Sequence, residues 1–144
     1  MPRRTQMGEV YAEATFRGPK GREVRLRLLV DTGLTYTCIP GSLARTLGVR
    51  SVGVVHLDLA DGRSVPRAIG DVDIEIMGRR APRRIVFGRR GDSSQIGGDT
   101  LQGLLLDVEP TTHRLRRRTT ALAVSPRATR LIMKSWRGRA TTVF

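Results

Sequence analysis

Asp31, Thr32 and Gly33 follow directly on the apolar segment Leu28-Leu29-Val30, and no other residues of this chain are as well placed to do chemistry. An ionised carboxylate at the end of a buried strand is costly and is kept where a site uses it. Asp31 offers an acid or base, Thr32 a hydroxyl, and Gly33 a tight turn with room for another backbone. Such a group suits proton transfer to or from a water. Competing chemistries lack their residues. His56 and His113 are far apart and Cys38 is the only cysteine, so no metal-ligand spacing exists. Neither a Gly-x-Ser-x-Gly elbow nor a phosphate-binding loop occurs. Asp58, Asp61, Asp71 and Asp73 fall in hairpin or alternating positions and read as solvated faces.

The elements around the tripeptide read as short strands. Residues 9–17 alternate apolar and polar, Gly18-Pro19-Lys20-Gly21 is a turn, and residues 22–30 return as a second strand. Thr35 to Ile39 is extended. Ser42 to Leu47 is a short helix with Ser42 as N-cap and Gly48 just past its end. Residues 52–60 alternate again, and Asp61-Gly62 predicts a two-residue type I′ turn into a strand over 63–69. Separate strands follow at 72–76 and 84–87. Ile96-Gly97-Gly98 leads into a brief helix capped by Asp99 and ended by Gly103, and Leu104 to Val108 is the last core strand. Six or seven short strands with closely spaced turns indicate an all-β barrel or sandwich.

The chain of 144 residues suits one domain, with six aromatics, so leucine and β-branched residues must fill most of the core. No apolar run is long enough to cross a membrane, residues 1–8 lack the apolar region of a secretory signal, and a lone cysteine fits the reducing cytoplasm. Cys38 reads as a small buried hydrophobe. The net charge is +13. Residues 1–110 hold 17 Lys and Arg against 13 Asp and Glu, whereas residues 111–144 hold nine basic residues and no acidic ones. Basicity therefore belongs to the tail. There Ala128, Leu131, Ile132, Ser135 and Trp136 share one helical face, with Arg127, Arg130, Lys134 and Arg137 on the other. The tail reads as an unstructured segment or a short amphipathic helix.

Leu28-Leu29-Val30-Asp31-Thr32-Gly33, the turn at Asp61-Gly62 and the Ile96-Gly97 segment before a short helix together resemble the retropepsin-like aspartic proteases. Leu59-Ala60-Asp61-Gly62-Arg63 looks like the small bacterial members of that group. The resemblance spans roughly residues 8–115. It implies a single-domain, all-β acid-protease barrel over 1–115 with one or two short helices, followed by a basic tail over 116–144. It further implies an aspartic endopeptidase acting on a peptide or protein substrate without metal or organic cofactor. Such an enzyme needs two carboxylates sharing a proton, and the chain has one Asp-Thr-Gly, so a homodimer with one Asp31 from each subunit is expected.

By the same resemblance Thr32 braces the two active-site loops, Gly33 offers its carbonyl to the substrate, and residues 59–63 tip a flap. Gly97, after Ile96, lets a strand pass beneath the loop. Two positions depart from the family. Leu34 stands where Ala or Ser is usual. Thr35 and Gly98 stand where viral members carry an Asp and an Arg that pair, and both partners are missing together. The alternative reading is a non-catalytic domain of this kind that binds nucleic acid or an anionic membrane surface through its tail.

Overall fold

The computed structural model describes residues 9–121; the amphipathic pattern read at 127–137 lies outside the described residues. In chain order the elements are β1 (Tyr11–Arg17), β2 (Glu23–Asp31), β3 (Thr37–Pro40), α1 (Gly41–Thr46), β4 (Gly53–Asp58), β5 (Ser64–Ile76), β6 (Arg79–Gly88), β7 (Gln95–Gly97), α2 (Gly98–Gly103), β8 (Leu106–Glu109) and β9 (Arg114–Arg117). Seven strands pair in the order β1-β2-β7-β3-β6-β5-β4, and β1 also pairs with β5. That extra ladder, Ala14↔Ile76 to Arg17↔Asp73, closes six strands into a barrel and, among the described residues, leaves β4 paired with β5 alone. The all-β, single-domain barrel with two short helices is thus the architecture.

Alternation drives the closure. Ala12, Ala14 and Phe16 turn inward from β1 and Ile74 and Ile76 from β5, so each strand buries one face and pairs through its edges. Phe16, Ile39, Ile74, Ile76, Ile85 and Ile96 are fully buried, and each side chain contributes about 1.5–3 kcal/mol on leaving water. Among the described residues only Phe16 and Phe87 bring aromatic rings to the core. Among the described residues no helix is long and apolar enough to cross a membrane.

Several local expectations are corrected. A type I′ turn needs positive φ at two successive residues. At Asp61-Gly62 only Gly62 has it (φ +86°), whereas Met77 (φ +53°) and Gly78 (φ +79°) both do. The type I′ turn therefore joins β5 to β6. The β4–β5 hairpin closes through Ala60-Asp61-Gly62, with Gly62 N–H donating to Leu59 O (3.0 Å) and Leu59 N–H to Arg63 O (2.8 Å). Residues 64–76 form one strand rather than two, because β6 pairs with it without a break from Ile69 to Ile76. Ser42 is not a cap. Pro40 still pairs with Gly88 in the β3–β6 ladder, so α1 begins at Gly41 and Ser42 lies inside it. Likewise Gly97 is both the last residue of β7 and the N-cap of α2, which puts Asp99 in the first turn. Its carboxylate is held by Arg83 Nη2 at 3.0 and 2.9 Å.

No alternation marks β9 in the sequence, because Leu115 is its only apolar residue. It pairs with β8 across Asp107↔Arg116, with Arg116 Nε 2.6 Å from Asp107 Oδ1. The boundary expected at residue 115 falls inside this strand.

Candidate active site

β2 ends at Asp31, which lies in parallel register with Gly97 of β7. β7 separates β2 from β3 in the sheet, so the chain leaving Asp31 must cross the end of β7 to reach Thr37. Residues 32–36 make that crossing. Leu34 N–H donates to Asp31 O (3.1 Å), Gly98 N–H to Leu34 O (2.7 Å) and Asp99 N–H to Thr35 O (2.9 Å). The first N–H groups of a helix have no partners within it. Here the carbonyls of Leu34 and Thr35 take them, which is why α2 has no side-chain cap. The Asp-Thr-Gly loop itself caps α2, and these backbone bonds hold the two segments where the side chains at 35 and 98 offer no ion pair.

Beneath the crossing, Gly97 N–H donates to Thr37 Oγ1 (3.1 Å), and Thr37 Oγ1 is 2.6 Å from Thr100 Oγ1. These two threonines are the buried polar residues of the described chain, both at 0 % exposure. Nothing in the sequence marks them: Thr37 sits in a β-branched run that reads as strand packing, and Thr100 in a short helix. Thr37→Val is expected to cost about 1–3 kcal/mol, because it leaves a buried N–H and a buried hydroxyl without partners. Thr100→Val, which keeps the Gly97 bond, should cost less. Urea midpoints of both single variants and the double variant, whose effects should not add, measure this coupling.

Asp31 is half-buried, and Thr32 and Gly33 are exposed. Asp31 Oδ1 accepts the Gly33 N–H at 3.0 Å. Among the described residues no Lys or Arg forms an ion pair with Asp31. Ile96 is fully buried and pairs with Val30 in the β2–β7 ladder.

A groove of about 330 Å³ separates the loop from β4, with Gly33 to Tyr36 on one side, Val55 to Asp58 on the other, and Cys38 and Val86 at its floor. Four consecutive β4 residues border it, so β4 meets the groove edge-on rather than by one face. Bonded positions alternate in an antiparallel pair. Leu59 is bonded to Arg63, hence Leu57 and Val55 bond to β5, and the main-chain groups of Asp58, His56 and Val54 face the free edge. Leu59, Ala60, Asp61, Gly62 and Arg63 form the hairpin tip beyond this wall and do not line it. Asp61 is bonded within the tip, to Arg63 N–H (3.0 Å) and Arg63 Nε (2.7 Å), and these bonds, the backbone one foremost, hold its carboxyl below the usual range.

Burial pushes the Cys38 thiol up to about 11, so it stays protonated and packs as an apolar group. Nearby, Arg67 grips Asp92 through two bonds (2.6 and 2.9 Å), and Arg89 N–H donates to Asp92 Oδ2 at 2.7 Å. The Arg67 bond is the chief reason the Asp92 carboxyl lies below its ordinary value. A carboxyl depressed by folding adds stability above its unfolded pKa of about 4 and loses it as pH falls through the folded value. Thermal melts should therefore fall below about pH 4 and hold at mildly acidic pH. Asp92→Asn should cost about 1–3 kcal/mol at pH 7 and flatten the acid limb. A wild-type acid slope in that variant would rule out the pair as its cause.

Among the described residues no cluster of His, Cys, Asp and Glu could hold a metal ion. No protein-family model matches the chain, and no curated protein matches it.

Proposed function

We propose that this chain is an aspartic endopeptidase that works as a homodimer, pairing its own Asp31 with Asp31 of the partner subunit. The observation that carries this reading is the setting of Asp31: a half-buried carboxylate that no cation pairs among the described residues, at the end of β2, on a loop that is pinned to α2 and whose residues 33–36 border a groove facing the outer strand β4. Two carboxylates close together share one proton, since like charges about 3 Å apart do not both ionise readily. The ionised member takes a proton from a bound water, whose oxygen forms a bond to the peptide carbonyl carbon. The protonated member donates to the carbonyl oxygen. The tetrahedral intermediate then collapses with cleavage of the C–N bond, and a proton goes to the leaving amine.

The wall opposite supports a peptide as substrate. An extended peptide fits the free main-chain groups of Val54, His56 and Asp58 as an added strand, with alternate side chains entering the groove. Turnover of a peptide library at mildly acidic pH by wild type and Asp31→Asn tests the chemistry. Equal turnover by both would sink it. Sedimentation tests the dimer independently, because a strict monomer holds only one carboxylate.

A further inference from the structure

Resting on the protease reading, we infer that Leu34 is a specificity-determining residue of the groove: its isobutyl group narrows the space between the loop that follows Asp31 and β4, so that the substrate side chain lodged there must be small. Leu34 is half-buried and borders the groove opposite Val55 and Leu57. Its backbone has no freedom to withdraw. The N–H is bonded to Asp31 O at 3.1 Å and the carbonyl to Gly98 N–H at 2.7 Å, and a Cβ placed on Gly97 would lie 2.9 Å from that same carbonyl oxygen. Fixed on both sides, residue 34 presents its side chain at one place, three positions beyond Asp31.

The wall across the groove comes from paired strands and mixes the apolar Val55, Leu57 and Val86 with His56 and Asp58. Val55 and Leu57 stand in the β4–β5 ladder and Val86 in the β6 ladders, so they do not move aside without breaking main-chain bonds. The side chains at 34, 35 and 36 belong to no ladder, and Leu34 is the one of them nearest Asp31 in the chain, so its length sets the space left next to the Asp-Thr-Gly turn. A substrate methylene more or less in a close-fitting apolar pocket changes transition-state binding about 10- to 200-fold. Shortening Leu34 should shift the preference by a step of that kind.

The test uses the full chain and peptide pairs differing in one residue, Ala or Phe, at each position flanking the scissile bond in turn. Each pair is made both as substrate and as an uncleavable analogue with a hydroxyl-bearing carbon in place of the scissile carbonyl. For one flanking position wild type should favour Ala, and Leu34→Ala should raise the Phe-to-Ala ratio of kcat/KM, and of analogue affinity by calorimetry, about tenfold or more. Leu34→Val should fall between them, and melting curves verify that each variant folds. Unchanged ratios at every position, or no analogue binding, overturn the assignment. A shifted binding preference without Asp31-dependent turnover keeps the assignment and removes the protease reading instead.

Discussion

Asp31→Asn is expected to lower peptide turnover roughly 10²–10⁴-fold while leaving the melting temperature close to that of wild type. The structural role of the side chain is one bond, from Gly33 N–H to Oδ1 at 3.0 Å, and an amide oxygen in the same place accepts it equally. Among the described residues no ion pair is lost, and the residue is only half-buried. What disappears is the ability to hold or give up a proton. Mixing sharpens the result. If each dimer draws one carboxylate from each chain, adding an equal amount of the Asn variant to wild type diverts half the wild-type chains into mixed dimers. Activity then falls to about half at fixed wild-type concentration. Independent sites would leave it unchanged, and so would a monomeric enzyme. Full activity of the pure variant removes Asp31 from the mechanism altogether.

The parts of this site that are legible in the sequence are those whose residue type is itself the signal. Alternation in residues 9–17 and 22–30 marks two strands, and the structure pairs them as a hairpin. Asp31 stands out because a carboxylate follows an apolar strand. What stayed hidden depends on pairing across sequence. Gln95–Gly97 is too short to show a period, yet it is the strand that separates β2 from β3 and forces the loop over Gly97. Thr37 and Thr100 are 63 residues apart and acquire a role only once that strand is inserted. Asp61-Gly62 shows the opposite error. The dipeptide favours the two-residue turn, but the register Asp58↔Ser64 with Leu59 bonded to Arg63 leaves three residues in the loop, and Asp61 keeps negative φ. Pairing decided the turn there. At Met77-Gly78 the register Ile76↔Arg79 leaves only two residues, so methionine is driven to positive φ despite its poor preference for it.

Gly97→Ala should destabilise the protein by about 3 kcal/mol or more and lower the melting temperature by roughly 10 °C. A Cβ at this position would lie 2.5 Å from Tyr36 C, 2.7 Å from Tyr36 O and 2.9 Å from Leu34 O. All three are backbone atoms of the crossing loop, so no side chain can rotate away to relieve the overlap. The loop would have to lift. Lifting it breaks the bonds from Gly98 and Asp99 to Leu34 and Thr35 and removes the cap of α2. Gly98→Ala is the matched control. Its nearest atoms are Thr32 O at 3.2 Å and Leu34 O at 3.5 Å, a fit that small shifts relieve, and alanine gains helix propensity at the first position of α2. Its net effect should stay within about 1 kcal/mol. A further outcome of the same pair bears on function. If the loop yields locally, Gly97→Ala keeps its melting temperature but loses turnover, since Asp31 is then no longer held in register with residue 97. Wild-type stability together with wild-type turnover in Gly97→Ala would show that the crossing is looser than these contacts require. The placement of Asp31 by β7 would then have to be abandoned.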